Sequence, residues 1–383
     1  MQARTLATAF AVLTGMGFAA TAQAGSPPVN WPGVTPCNGT LQACIDAVPN
    51  GSAINVVTDT PINESLNLYN RSLALGAGPG FHPSLTPANW IVVSSSAIAG
   101  DLTVSLSGLT LTDGYVYVAY GGTGTARYDV RRMTVTQTTA GAPSYIRVAA
   151  SGGTVEATVY DNRVTGQPLT LNNGLVEFAA VAGATLNASA LYNRVTNTSP
   201  IAIPGAGIFL DATGNASGTF KAHANDVRGG FFRGGIYVSE GLFSSTPSNY
   251  AARLYNNVLV CAPDGGTGIG FVVNNGTLSA QAVNNTISRC NYGILASQWS
   301  GGTSASAAVE GIVKNNLVVA NTTLSFNAAL TPGLANDYNL LNGATTVTTG
   351  VHTISAAAQL VSDTAPRLAA TSPAINAADT ATL

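Results

Sequence analysis

Apolar and polar residues alternate with a period of two along much of this chain, around asparagines that recur every 29 to 32 residues. The positions two before and two after each asparagine are mostly apolar, and the six members are Asn162, Asn193, Asn225, Asn256, Asn285 and Asn315. A period of two is typical of strands, and a fixed repeat of this length indicates a solenoid. We therefore predict one coil of parallel β-structure per repeat. The asparagines should stack at one corner, where they tolerate left-handed backbone and bond through their amides.

A second series of positions supports this register. Apolar pairs two residues apart recur at a similar spacing: Val116/Val118, Ile146/Val148, Val176/Phe178, Ile208/Leu210, Ile236/Val238, Ile269/Phe271 and Ile294/Ala296. Side chains alternate between the two faces of a strand, so each pair should face the core and the residue between its members should face outward. Cys261 and Cys290 each lie five residues after a predicted corner asparagine. A strand spacing of about 4.8 Å allows a disulfide between them.

These patterns predict an all-β fold, a single β-solenoid of about nine or ten coils over residues 53–345. Before it, Thr40 is a candidate N-cap for a short helix that ends at Pro49-Asn50-Gly51. Residues 25–52 would then cap the first coil. Residues 346–383 break the rhythm, which favours a C-terminal cap or a segment that folds back along the rod.

The first residues and the cysteines indicate export. Arg4, an apolar run over residues 6–20 and Ala22-Gln23-Ala24 are typical of a signal peptide over residues 1–24. No later apolar run is long enough to span a membrane. An even count of four cysteines suits an oxidising compartment, and we expect Cys37 to pair with Cys44 near the N-terminal cap. The predicted location is secreted or periplasmic.

Charge is sparse and unevenly distributed. Charged residues make up 8% of the chain, whose net charge is −2, yet residues 127–253 contain ten bases against seven acids. The middle coils should therefore form a mildly basic band. We do not expect nucleic acid as a partner, because the chain has no lysine-rich stripe.

Several segments are shared with one known family. They are the helix over residues 40–48, the following Gly51-Ser52-Ala53-Ile54-Asn55-Val56-Val57, Ser107-Gly108-Leu109-Thr110-Leu111, the asparagine-bearing coils and Ser372-Pro373-Ala374-Ile375-Asn376-Ala377. In these the chain resembles right-handed parallel β-helix proteins of the pectin-lyase-like class. The resemblance covers nearly all of the chain after residue 24 and implies a right-handed helix. It leaves function open, since the class includes lyases, hydrolases, epimerases, tailspikes and proteins with no known activity.

The best candidate surface is the outward row of the sheet that carries the apolar pairs. Its first members are Tyr117, Arg147, Glu177, Phe209 and Tyr237, with Asp211 beside them; Arg228 and Arg233, in the loop before the Tyr237 strand, would reach the same surface. Aromatic faces stack on sugar rings, and arginine pairs with uronate carboxylates, so the row predicts polysaccharide binding. The alternative is structural: Arg147 and Glu177 form an exposed ion pair, and Phe209 and Tyr237 cover each other.

Catalysis has weaker sequence support. Glu177 and Asp211 should lie about 7 to 8 Å apart, diagonally across neighbouring strands, which overlaps the carboxyl separation of an inverting glycosidase. In a lyase, Arg147 or Tyr117 would be the candidate base. The calcium-binding aspartates and Arg-x-Pro-x-x-Arg stretch of pectate lyases are missing from the sequence, as are the Asn-Thr-Asp, Asp-Asp and Gly-His-Gly motifs of polygalacturonases. We expect no metal and no cofactor, because no ligand spacing or phosphate loop is present.

Two further groups of residues admit structural explanations. Arg163 and Arg194 each follow a corner asparagine and should be neighbours, with Asp161 and Asp226 close enough to neutralise them. An anionic glycan lying across the coils is the alternative. His223 shares its predicted column with Leu191 and Leu254, which predicts an inward, buried histidine.

Two hypotheses on function remain. The favoured one is a non-catalytic exported β-helix that binds or decorates extracellular polysaccharide. The other is an enzyme, a polysaccharide lyase or an inverting glycoside hydrolase, that cleaves an acidic glycan held by the basic middle coils.

Overall fold

The computed structural model is a right-handed parallel β-helix of about nine coils, which confirms the predicted fold class. It describes residues 27–379 except 97–98, 168–172, 200–201, 242–245, 263–264, 299–306, 320–322, 327–332, 343 and 346–348. The predicted signal peptide over residues 1–24 lies outside the described residues. No helix among those described is both long and apolar enough to cross a membrane.

Each coil contributes one strand to each of three parallel sheets, in the order A, B, C along the chain. Sheet A contains Val29–Trp31, Ala53–Val56, Leu73–Ala77, Leu102–Ser107, Thr125–Arg131, Thr154–Tyr160, Thr185–Leu191, Ser217–His223, Asn249–Tyr255, Thr277–Val283, Ala308–Lys314 and Leu334–Asp337. Sheet B contains Ser84–Leu85, Thr110–Thr112, Thr134–Thr136, Arg163–Gly166, Arg194–Asn197, Asp226–Arg228, Val258–Val260, Thr286–Ser288, Leu317–Val319, Leu340–Leu341 and Ile354–Ser355.

Sheet C carries the predicted apolar pairs. Its strands are Leu66–Tyr69, Ile91–Ser96, Val116–Gly121, Ile146–Ala150, Gly174–Ala180, Ala206–Ala212, Gly234–Glu240, Thr267–Val273, Tyr292–Gln298, Thr323–Phe326 and Ala344–Thr345. Every member of the seven pairs is fully buried. In the strand Val116–Gly121, for example, Val116, Val118 and Tyr120 are buried while Tyr117 is partly exposed. The period of two therefore builds a single core that runs along the rod.

The N-terminal cap forms as predicted. Helix α1, Leu41–Ala47, begins after Thr40, whose Oγ1 accepts a hydrogen bond from the Ala43 N–H at 3.1 Å. Free N–H groups at a helix start need such acceptors. The Glu64 carboxylate takes two more of them, from Leu41 and Gln42, at 2.7 and 2.9 Å. The buried side chains of the helix belong to the same core as the first coils.

Both predicted disulfides are present. Cys37 pairs with Cys44 beside the capping helix, and Cys261 pairs with Cys290 between successive coils. The Cα atoms of the second pair are 5.0 Å apart, which is close to the spacing of stacked strands. That bridge therefore fits the coil geometry without displacing either strand.

A ladder of buried asparagines occupies the corner between sheets A and B, but two predicted members are wrong. The ladder runs through Asn162, Asn193, Asn225, Asn257, Asn285, Asn316 and Asn339. Each side-chain amide donates to the next member at 2.9 to 3.0 Å. Asn256 and Asn315 instead precede their ladder members and adopt left-handed backbone, with φ of 59° and 57°. The left-handed turn and the amide ladder are thus carried by two adjacent residues rather than by one.

The C-terminal residues return along sheet B. Ile354–Ser355 pairs with Leu340–Leu341, and Leu360 and Ala374 pack with Val319 on the outer face of that sheet. Lys314 and Asp379 form an ion pair at 2.6 Å. The segment extends as far as Arg228, whose Nη1 donates to the Thr364 carbonyl at 2.7 Å.

Candidate functional site

The predicted outward row on sheet C exists in the predicted register. Tyr117 pairs with Arg147, Arg147 with Glu177, Glu177 with Phe209, and Phe209 with Tyr237. The row continues to Gly270 and Leu295. Asp211 lies in the adjacent outward column, after Ala119, Ala149 and Ala179 and before Ser239.

Outward orientation does not mean exposure along this row. Tyr117 and Arg147 are partly exposed, whereas Glu177, Phe209 and Tyr237 retain only 4%, 2% and 3% of their accessible surface. Phe209 and Tyr237 pack with Ala206 and Val272 in a small cluster outside the main core. Their ring centroids are 5.6 Å apart. The expectation that these two rings are free to stack on a sugar is therefore wrong, and the structural alternative for them is correct.

Glycines on neighbouring strands explain this burial. A Cβ at Gly174 would lie 2.8 Å from Cβ of Phe209, and a Cβ at Gly270 would lie 2.5 Å from Cδ2 of Tyr237. A glycine in a strand leaves room for a ring from the next strand to lie over the backbone. The Tyr237 ring therefore lies over the backbone of Gly270, and Phe209 packs closely against Gly174 through its Cβ. A glycine in the outward column beside an aromatic was the sequence signal for this packing.

Arg147 lies where the row changes from exposed to buried. Its Nε is 3.2 Å from Oε1 of Glu177, an ion pair that is not aligned as a hydrogen bond. Its guanidinium carbon lies 5.7 Å from the centroid of the Tyr117 ring, in cation–π range. Among the described residues, neither terminal nitrogen of Arg147 donates a hydrogen bond, and the side chain is 37% exposed. The planar end of Arg147 is thus held from behind and is available from solvent.

The two carboxyls of the site, Glu177 and Asp211, have higher pKa values than acids exposed to solvent. Burial raises the pKa of Glu177, against the opposing effects of Arg147 and the Gly174 N–H. Burial, with a further contribution from the charge of Glu177, raises the pKa of Asp211 to about 7, although Ser239, Arg233 and Arg147 oppose it. The Ser239 hydroxyl donates to Oδ1 of Asp211 at 3.1 Å. Desolvation disfavours the charged carboxylate, so Asp211 exchanges its proton near neutral pH.

The two remaining predicted arginines, Arg228 and Arg233, lie on different sheets. Arg233 is 6% exposed, and its Nη1 donates to the Tyr237 hydroxyl at 3.1 Å. It therefore contacts the predicted row, but in its buried half rather than on the outer surface that the sequence predicted. Arg228 lies on sheet B, where its Nε contacts Asp226 at 2.7 Å and its Nη1 contacts the C-terminal segment. The expectation that Arg228 reaches the sheet C surface is wrong, because its strand ends before the chain turns toward sheet C.

An aromatic stack beside this row was not singled out from the sequence. Trp90, Tyr115 and Tyr145 each precede a sheet C strand, and their ring centroids are 6.0 and 5.0 Å apart, with interplanar angles of 11° and 14°. Trp90 is exposed, and the two tyrosines are half-buried. The sequence did contain a signal for this stack, because in three successive coils an aromatic residue immediately precedes the first inward residue of the strand.

Small side chains flank the row on its other side. Ser94, Ala119 and Ala149 occupy the next outward column of the same three coils, and all are partly exposed. With the stack, Tyr117 and Arg147, they form a surface that we call the sheet C shelf: Trp90, Ser94, Tyr115, Tyr117, Ala119, Tyr145, Arg147 and Ala149. It has raised aromatic and basic groups along one side and a low floor along the other.

The corner between sheets A and B brings together other residues noted in the sequence. Arg163 and Arg194 are neighbours as predicted, and Arg194 lies 3.6 Å from Asp226. His223 is not buried in the core as expected: it is half-buried, at the outer end of its strand, between the rings of Tyr192 and Tyr255. The predicted alignment was wrong by one residue on this side, since the strand partner of His223 is Tyr255 rather than Leu254. Burial, and then the charge of Lys221, lower the pKa of His223.

The described residues contain no group of three or more His, Cys, Asp or Glu side chains arranged to hold a metal ion. Comparison with known protein families, curated proteins and solved structures finds no significant match to this chain. Function is therefore argued from the geometry of its surfaces.

Proposed function

We propose that this chain is an exported β-helix protein of the pectin-lyase-like class that binds an acidic extracellular polysaccharide on the sheet C shelf. The observation that supports the proposal most strongly is the way in which Arg147 is held. Its Nε faces the buried Glu177, its guanidinium lies against Tyr117, and its terminal nitrogens have no hydrogen-bond partner among the described residues. A pre-oriented guanidinium with two free terminal NH₂ groups matches the fork geometry of a uronate carboxylate.

The rest of the shelf suits an extended chain. The stacked rings present edges and hydroxyls toward solvent, because their faces contact one another at 5.0 and 6.0 Å. A sugar chain that runs along the rod over Ser94, Ala119 and Ala149 would find apolar and hydroxyl contacts on one side and Arg147 at one end. Open surfaces of this kind suit a polymer, which gains affinity by repeating weak contacts over successive coils.

Export is supported by independent features. Two disulfides persist in oxidising compartments, which favours a secreted or periplasmic location. The predicted signal peptide over residues 1–24 is consistent with it. The length of the coils, the capping helix and the asparagine ladder support membership of the pectin-lyase-like class.

The test is binding of the mature protein to polygalacturonate, alginate, hyaluronan and chondroitin, compared with the uncharged dextran. Arg147→Gln should weaken binding of the recognised uronate polymer by about tenfold, the loss of one charged bidentate contact. Arg127→Gln is the matched control, since Arg127 is a half-exposed arginine on sheet A that also pairs with a glutamate. Equal affinity of the Arg147 variant and the parent would place the binding surface elsewhere.

Cleavage of the same glycan is a second candidate, favoured by one observation. Asp211, with a pKa raised to about 7, and the buried Glu177 are carboxyls of the kind that act as general acid and base. A hydrolase would release reducing ends, and a lyase would produce unsaturated uronates that absorb ultraviolet light. Either product should disappear in Asp211→Asn while polymer binding persists. Absence of both products from every polymer leaves binding without catalysis.

A further inference from the structure

The corner between sheets A and B carries a second exposed set of aromatic side chains. Tyr160, His223 and Tyr255 end their sheet A strands in one column, and Tyr192 occupies the left-handed turn position next to it. Successive ring centroids from Tyr160 through Tyr192 and His223 to Tyr255 are 5.6, 5.4 and 4.9 Å apart. We call these four residues the corner row. Sheet C does not border this corner, so the corner row is separate from the sheet C shelf.

The corner row lies in a region of positive charge. Seven basic residues surround it, namely Arg131, Arg132, Arg163, Arg194, Lys221, Arg228 and Arg253, against the three acids Asp129, Asp161 and Asp226. The whole chain has a net charge of −2, so the remainder of the molecule is acidic. Local concentration of one sign raises the local concentration of an oppositely charged ligand.

Four of these bases form no ion pair with a described residue: three arginines, and Lys221, whose ammonium lies over the Tyr255 ring. Arg131 pairs with Asp129 at 3.3 Å, and Asp226 pairs with both Arg194 and Arg228. Arg132, Arg163 and Arg253 are exposed and form no ion pair with any residue that the structure describes. Arg163 is the direct partner of Arg194 in the neighbouring strand. Two like charges at strand spacing repel each other, and an anion between them would relieve that repulsion.

The rings of the corner row also remain accessible. Their interplanar angles are 68°, 89° and 51°, so they do not form a continuous parallel stack. Tyr160 and Tyr192 are 39% and 52% exposed. The turn between the two sheets is only two residues long, which leaves no loop to cover the row. Among the described residues, the C-terminal segment reaches Arg228 on sheet B and contacts the corner in later coils, at Lys314 and Asn315.

We propose that the corner row and its unpaired arginines bind a second acidic polysaccharide chain, which runs parallel to the rod axis across five coils, about 20 Å. The arginines take its carboxylate or sulfate groups, and the tyrosines contact its sugar rings. Asp161 and Asp226 lie among the bases, where they accept hydrogen bonds from sugar hydroxyls. The same two carboxylates would repel a nucleic acid, in which the charges are denser.

This inference shares only the ligand class with the proposed function, and the experiment separates the two. Fluorescence anisotropy measures binding of labelled polygalacturonate oligomers to the disulfide-bonded mature protein, with methyl-esterified oligomers as the uncharged probe and single-stranded DNA as the competing polyanion. The test variant is Arg132→Gln/Arg163→Gln. The control Arg127→Gln/Arg367→Gln removes the same charge from exposed positions that are not part of the corner row. Both doubles are made in the parent and in the Arg147→Gln background.

In the Arg147→Gln background, where the shelf is already weakened, the corner variant should bind polygalacturonate about tenfold more weakly, and the control should stay within about twofold. Tyr192→Ala should weaken binding by about threefold without lowering the melting temperature. The proposal is overturned if the corner and control doubles lose affinity equally, if the methyl-esterified probe binds as well, or if only DNA binding responds. If Arg147→Gln has no effect while the corner variant does, the shelf proposal fails and the corner site stands.

Discussion

Two rows of outward side chains on this rod share similar residue types and differ in exposure. Glu177, Phe209 and Tyr237 on sheet C are at most 4% exposed, whereas Tyr160 and Tyr192 in the corner row are 39% and 52% exposed. Both rows project away from the main core. The difference lies in the residues on the adjacent strands.

On sheet C, Gly270 leaves backbone uncovered and the Tyr237 ring lies over it, while Phe209 packs against Gly174 and the Tyr237 ring. At the corner, the adjacent positions carry aspartate, arginine and asparagine, and the backbone beneath is occupied by the asparagine ladder. The rings there contact one another, and the Lys221 ammonium lies over the Tyr255 ring. Outward direction follows from alternation along the strand, whereas burial depends on whether a neighbour provides a surface to cover.

The largest expected effect comes from removing both buried rings. Phe209→Ala/Tyr237→Ala should lower the free energy of unfolding by at least about 3 kcal/mol, because each truncation leaves a cavity in a packed cluster. The matched double Tyr160→Ala/Tyr192→Ala should cost about 1 kcal/mol or less, as expected for exposed positions. Denaturant titration of both measures the difference. Similar losses in the two doubles would contradict the distinction between the rows.

The ladder beneath the corner row should show the next largest effect. Asn257→Ala removes a buried amide that donates to Asn285 and to the Ala222 carbonyl and accepts from Asn225. It should cost about 2 to 3 kcal/mol, since buried partners are left unsatisfied. Asn256→Gly is the control, because glycine adopts the left-handed backbone of that position without strain. The assigned register would be wrong if the Asn256 variant were the less stable of the two.

A smaller effect is expected where a ring lies over glycine. Gly270→Ala places a methyl group 2.5 Å from the present position of Cδ2 of Tyr237, so the ring must move, at a cost of about 1 to 2 kcal/mol. Gly100→Ala has open space around its new methyl group and serves as the control. Thermal unfolding and tyrosine fluorescence of both variants report the change. If Gly270→Ala left the melting temperature and the tyrosine fluorescence unchanged, the burial of Tyr237 would not depend on the glycine.

The last prediction concerns pH. The folded-state pKa of Asp211 is raised to about 7, above the ordinary value of about 3.9. Between these values the folded protein binds more protons than the unfolded chain, so this carboxyl makes stability fall as pH rises. Asp211→Asn should therefore match the parent near pH 4 and melt at a higher temperature near pH 8. A stability difference independent of pH would show that Asp211 is ionised throughout.

Most of the fold could be predicted from the sequence, because alternation and repeat length act over many residues at once. The apolar pairs of sheet C, the Thr40 cap and both disulfides follow from local spacing. The prediction of the ladder members failed where two asparagines are adjacent in the sequence. In Asn256-Asn257 and Asn315-Asn316 either residue precedes an apolar strand, so the pattern cannot choose between them. Asn339, a seventh member, was missed because it lies only 23 residues after Asn316, which falls outside the 29 to 32 residue repeat.

The candidate site was less predictable for a related reason. Register places Arg147, Glu177 and Asp211 together correctly, since pairing depends only on the repeat. Exposure depends on how side chains of neighbouring coils pack together, and the residues of one outward row do not determine that packing. Phe209 and Tyr237 were therefore assigned to solvent, while Trp90, Tyr115 and Tyr145 were overlooked because they lie at the edge of the sheet rather than within a strand.

The central claim is that an acidic polysaccharide occupies the sheet C shelf, and side-chain footprinting tests it directly. Hydroxyl-radical oxidation followed by mass spectrometry compares the free protein with the protein saturated with the uronate polymer that binds it. We predict that Trp90, Tyr115 and Tyr117 lose reactivity on binding, while the buried Phe209 and Tyr237 react slowly in both states. Unchanged oxidation of Trp90, Tyr115 and Tyr117 at saturating polymer would contradict the account.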